Sequence, residues 1–134
     1  MQIKINPDKE KAKALIKMAN ITLERLKETN KEKYPANTLT DSYDIIHKIM
    51  ESITYIQGVK IKGEGAHQEI IDYVCKKFGI AEPTRIFIQE LRDYRNNISY
   101  EGFAINSNYI KTNEKKIELI INQLMGLAEH LLNV

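Results

Sequence analysis

Five stretches of this chain place apolar residues three and four positions apart, and each stretch ends at glycine, proline or a polar run. That spacing gathers apolar side chains on one face of an α-helix, so it predicts five amphipathic helices. Asn6-Pro7 reads as the first helix start, asparagine capping and proline filling the first helical position. The helix is expected over about 7–29, with Ile16, Ala19, Leu23 and Leu26 inward. "NKEKYPANT" is polar, holds Pro35 and is expected to be a loop. Thr40 or Asp41 then caps a second helix over about 41–57, with Ile46, Ile49, Ile53 and Ile56 inward and Gly58 as its stop.

"VKIKGEGAH" alternates briefly, as a short strand does, but its two glycines argue for a turn and no second strand presents itself for pairing. The third helix is expected over about 65–78, carrying His67, Ile71, Val74 and Phe78. After "IAEPT" a fourth begins near Pro83, carries Phe87, Leu91, Tyr94 and Ile98, and ends near Gly102. "INSNY" is a loop, and the fifth helix is expected over about 109–132 with Ile117, Ile120, Leu124, Leu127 and Leu131 inward. Short connections between such helices predict an all-α, up-and-down bundle, folded as one domain over 1–134.

Helix 5 is more apolar than one buried stripe requires, because Ile121, Met125 and Leu132 widen it. That width predicts a partner surface and a homodimer. The formal net charge of +2 imposes no molecule-wide field that demands nucleic acid, so any anion site is local. No apolar run approaches the roughly 20 residues that span a bilayer, and the first ten residues lack the apolar segment of a signal peptide. With a single cysteine, Cys75, neither an internal disulfide nor a cysteine zinc cage is available, which fits a reducing cytoplasm. Cys75 reads as packing. His47 and His130 stand alone in the sequence, without a second ligand at metal spacing, so no metal and no cofactor are expected.

One stretch stands apart: "LRDYRNNISYEGF", from Leu91 to Phe103. Arg92, Arg95, Asn96 and Ser99 are spaced i, i+3, i+4 and i+7, forming a polar stripe beside the apolar one. Guanidinium forks suit phosphate or carboxylate. The commoner reading of such a face is a solvated surface, or pairing with Asp93, Glu90 and Glu101. His67, at the head of an apolar stripe, is more often a satisfied core or capping residue than a ligand.

The segment from "GEGAHQEIIDYV" through "LRDYRNNISYEGF" to the last helix resembles the HEPN domain family. These are small helical bundles found beside nucleotidyltransferases, in toxin–antitoxin pairs and in RNA-processing systems. The resemblance rests chiefly on "RNNISY", Arg95 to Tyr100. Nuclease members carry arginine, often a polar residue, then a short spacer and histidine. Here Arg95 and Asn96 match, and Tyr100 stands where the histidine would be. The resemblance implies a metal-independent endoribonuclease acting as a dimer, with Arg95 and Tyr100 as its catalytic residues, or a binding version of the same site.

Residue 100 favours binding. A tyrosine with an ordinary pKa near 10 exchanges protons poorly at neutral pH, where histidine does so readily. The expectation is a module that binds nucleotide or RNA phosphate through Arg92, Arg95, Asn96 and Tyr100, with His67 in the pocket wall. A separate nucleotidyltransferase is the partner the resemblance suggests. A third reading leaves the motif serving only a structural dimer. A five-residue step turns about 140° on an ideal helix. The spacing therefore predicts that Arg95 and Tyr100 share a site only if the helix ends between them or a partner chain contributes.

Overall fold

The computed structural model describes residues 1–133 and contains five α-helices and one two-stranded ribbon. In order these are β1 (Gln2–Lys4), α1 (Lys9–Glu28), α2 (Pro35–Ile56), β2 (Val59–Ile61), α3 (Ala66–Lys77), α4 (Glu82–Glu101) and α5 (Ser107–Leu132). The chain is all-α, a bundle of five helices, as the periodicity requires.

Helix α2 forms the centre. It packs against α1, α3, α4 and α5, whereas α1 and α5 scarcely meet each other. Its sequence explains this position. Leu39, Tyr43, Ile45, Ile46, Ile49, Met50 and Ile53 point to several sides of the helix, and all are fully buried. A helix apolar on most faces must be surrounded. Its buried hydroxyls are hydrogen-bonded: Ser42 Oγ donates to Thr38 O at 2.7 Å, and Ser52 Oγ donates across to Ala12 O of α1 at 3.0 Å. The other helices each offer one face to this axis, through Ile16 and Ala19, Ile71 and Val74, Ile88 and Leu91, and Ile120 and Leu124.

Several boundaries differ from those expected. Helix α1 is capped by Asp8, whose carboxylate accepts from Lys11 N at 2.9 Å, rather than by Asn6. Helix α2 starts six residues earlier than the expected 41, with Pro35 in its first turn, so much of the supposed loop is helix. The short alternation at 59–61 is a strand after all. It pairs antiparallel with the N-terminal residues in the register Gln2↔Ile61, Ile3↔Lys60 and Lys4↔Val59. Gly58 turns the chain into β2 at φ +72°, and its carbonyl accepts from Ile5 N at 2.9 Å. Helix α5 begins at Ser107, with the Asn106 side chain accepting from Asn108 N.

The broad apolar surface of α5 is largely spent inside the chain. Ile117, Ile120, Ile121, Leu124 and Ala128 are buried, Met125, Leu127, Leu131 and Leu132 pack at the core's edge, and Leu119 is the large apolar side chain of this helix left exposed. Cys75 is buried among these helices, and that burial pushes its thiol up to about 11, which suits packing rather than reactivity.

Candidate anion site on helix α4

Helix α4 turns Phe87, Ile88 and Leu91 into the core and keeps Tyr94 and Ile98 at its margin. That choice of face places Arg92, Arg95 and Asn96 at the rim, half-buried, with Ser99 outside. The helix closes at Gly102, which adopts φ +65°. Across from this rim the chain leaves β2 through Gly63 and Gly65, both left-handed, and enters α3 at Ala66. The two segments enclose an open depression of about 210 Å³ lined by Gly63, Gly65, Ala66, His67, Arg92, Arg95, Asn96 and Tyr100.

Every ligand residue expected from sequence therefore borders one depression, His67 included. The expectation that α4 must end between Arg95 and Tyr100, or a partner chain intervene, does not hold. The helix runs unbroken to Glu101, and residues of one chain line the depression. The spacing explains why. Arg92, Asn96 and Tyr100 share one i, i+4 row along the depression, and Arg95 borders it from the adjacent row.

The arginines are only partly engaged. Arg92 Nη2 donates to Asp93 Oδ1 at 3.0 Å, the pairing one sequence reading anticipated. Glu90, another anticipated partner, instead accepts from the Tyr109 hydroxyl at 2.6 Å. Arg95 Nε stands 3.5 Å from Asp44 Oδ1 without hydrogen-bonding to it. Burial raises the Asp44 carboxyl more than Arg95 lowers it, so the net shift is upward. Among the described residues no acceptor takes a hydrogen bond from the Arg95 guanidinium, and Nε of both Arg92 and Arg95 is buried without a hydrogen-bond partner. Buried donors in this condition are uncommon in folded proteins.

Beneath the arginines lies a group from α2 that the sequence does not reveal. Tyr43 is fully buried, and its hydroxyl lies 3.0 Å from His67 Nδ1. The rings of His47 and His67 stack with centroids 3.9 Å apart and planes 8° from parallel. Burial first, then the neighbouring His67, Lys48 and Arg95, drives His47 down to about 3. Burial first, then Arg95 and Arg92, lowers His67 as well. Both shifts favour the neutral imidazole at pH 7. His47 Nε2 faces Glu51 at 3.9 Å and Nδ1 has no partner, which suits a proton on Nε2 and a bare lone pair on Nδ1. Tyr43 and His47 are one helical turn apart on α2, and that i, i+4 pair is the signal that local sequence offers.

The depression thus carries two guanidiniums, an amide, a phenol and a neutral imidazole. Its side chains supply hydrogen-bond donors, and its two guanidinium charges are each partly offset by a neighbouring carboxylate, Asp93 and Asp44. Tyr100 is 75% exposed and presents a free aromatic face at the rim, and Phe103 just beyond the helix is 51% exposed. No group of three or more potential metal ligands is present among the described residues. No protein-family model, curated protein or solved structure matches the chain.

Proposed function

We propose that this protein is a HEPN-like binding module that holds the phosphate of a nucleotide or of RNA against Arg92, Arg95 and Asn96, with Tyr100 stacking on a base. The observation that carries this reading is Arg95. Its guanidinium borders the depression, gives no hydrogen bond to any described residue, and has only a loose contact with Asp44 to hold it. Each guanidinium offers the planar fork of donors that phosphate oxygens accept, and Arg92 and Arg95 both line the depression. An exposed aromatic ring beside them matches the stacking by which single-stranded bases are bound.

The same side chains support binding over cleavage. Tyr100 is an exposed phenol in the place of the motif histidine. Proton abstraction from a ribose hydroxyl calls for a group that titrates near neutrality. Partnership with a separate nucleotidyltransferase, as in toxin–antitoxin modules, and assembly as a homodimer belong to the same proposal through the family resemblance.

The reading is tested by titrating the protein with a nucleoside monophosphate and with a short single-stranded RNA. Saturable binding that weakens with added salt is the expected result, because phosphate neutralisation releases counterions. Absence of binding to both at millimolar concentration contradicts it.

A further inference from the structure

We infer that Tyr43 is a positioning residue that fixes the tautomer of His67, turning the imidazole into a neutral Nε2–H donor aimed at an oxygen of the bound phosphate. This rests on the phosphate reading of the site and adds His67 to the groups that hold the ligand.

The argument follows the protons. Tyr43 is fully buried in α2, and its hydroxyl has one hydrogen-bond partner among the described residues, Nδ1 of His67 at 3.0 Å. A hydroxyl has one proton to give. If Nδ1 carried the hydrogen and donated to Tyr43, the phenol proton would be left buried without an acceptor, at the full desolvation penalty of that group. If Tyr43 donates to a bare Nδ1, both groups are satisfied. The imidazole proton is then on Nε2. Among the described residues Nε2 makes no hydrogen bond, yet it is not among the buried unpartnered atoms, and the residue lines the depression. It therefore reaches solvent, on a residue that lines the same depression as Arg92, Arg95 and Asn96.

The surroundings hold this arrangement in place. His47 stacks on His67 from below and Tyr43 fixes its edge, so the ring is constrained in plane and in rotation. Burial and the two arginines disfavour its protonation. A neutral ring locked in this tautomer presents N–H alone to the ligand. An oxygen that only accepts, as in a deprotonated phosphate, is matched, and a ligand hydroxyl offering its proton is not. The same lock explains why an imidazole beside two arginines serves binding: the nitrogen that reaches the ligand has no lone pair with which to take a proton.

Two measurements on the full chain test this. In the ligand-free protein at pH 7, nitrogen-15 shifts and ring-proton couplings read which nitrogen of His67 is protonated, with His67→Phe providing the assignment. Wild type should show the Nε2–H form, and Tyr43→Phe, which removes one oxygen and keeps the ring, should shift His67 toward a mixture of tautomers. A wild-type Nδ1–H form, or an unchanged tautomer in Tyr43→Phe, overturns the role of Tyr43. In the second measurement, nucleoside monophosphate affinity should fall about three- to tenfold in His67→Phe, the worth of one neutral hydrogen bond. It should fall less in His67→Gln, which keeps an N–H. Equal affinity in wild type and His67→Phe overturns the donor role. A wild type that binds neither monophosphate nor RNA overturns the phosphate reading and the donor role together, while the tautomer measurement still decides the claim about Tyr43. Thermal melts of each variant confirm that the compared proteins are folded.

Discussion

The imidazole of His47, on α2, lies flat against that of His67, on α3, with 3.9 Å between ring centres. Two rings so close cannot both carry charge without strong repulsion, and burial disfavours charge on either. This pair gives the protein a specific response to acid. The folded-state pKa of His47 is lowered from 6.5 to about 3, so between those values the unfolded chain binds more protons than the folded one. Stability is therefore fully present above the unfolded pKa and lost as pH falls below it. Acidification from pH 7 to pH 5 should cost about 2 kcal/mol from His47, with His67 acting in the same direction and the raised Asp44 opposing. Denaturant unfolding at the two pH values measures this loss. His47→Phe keeps a stacking ring that cannot protonate and should flatten the pH dependence by a similar amount. An unchanged slope contradicts the buried neutral pair.

Gly58 makes a second point of leverage, far from the site. Its φ of +72° is left-handed, and a β-carbon there would lie 2.8 Å from the Ile5 carbonyl oxygen. Gly58→Ala should cost about 1–3 kcal/mol, combining backbone strain with a loosened ribbon. Gly126 is the control. It lies inside α5 with ordinary backbone angles and open space around it, so Gly126→Ala should stabilise by about 0.5–1 kcal/mol. Chemical denaturation of both variants checks the contrast in sign.

How much of this was legible in the sequence differs from element to element. The five helices were, because their stripes repeat with the helical period over many residues. The first turn of α2 was hidden by composition. Tyr34-Pro35 and the run of small polar residues look like a loop, yet Thr38 and Ser42 return their hydroxyls to carbonyls one turn earlier, Thr38 Oγ1 to Tyr34 O at 2.7 Å. The ribbon was hidden by distance: three residues at the N-terminus pair with three beyond α2, and local periodicity carries no trace of a partner that remote. At the site, Arg92, Arg95, Asn96, Tyr100 and His67 were read from spacing and resemblance. Tyr43, Asp44 and His47 were not, because their role depends on how α2 lies beneath α3 and α4, which packing decides.

Self-association is the third prediction. Phe103, just beyond α4, and Leu119 on α5 remain exposed in the single chain. Together with the family resemblance they lead us to expect a dimer. Light scattering at micromolar concentration should return about twice the 15.5 kDa chain mass. A monomer mass across that range contradicts the homodimer proposal and leaves the binding site within one chain.

The most direct test of the central claim compares phosphate binding by wild type and Arg95→Ala. Arg95 is half-buried at the rim, outside the core cluster, so the variant should melt within about 1 kcal/mol of wild type. A charge-assisted hydrogen bond to phosphate contributes about 1.5–3 kcal/mol, so calorimetric titration with a nucleoside monophosphate should show affinity reduced about ten- to a hundredfold. Equal affinity in the two proteins, with the fold intact, would contradict the assignment of Arg95 as the phosphate-holding residue and with it the account of this site.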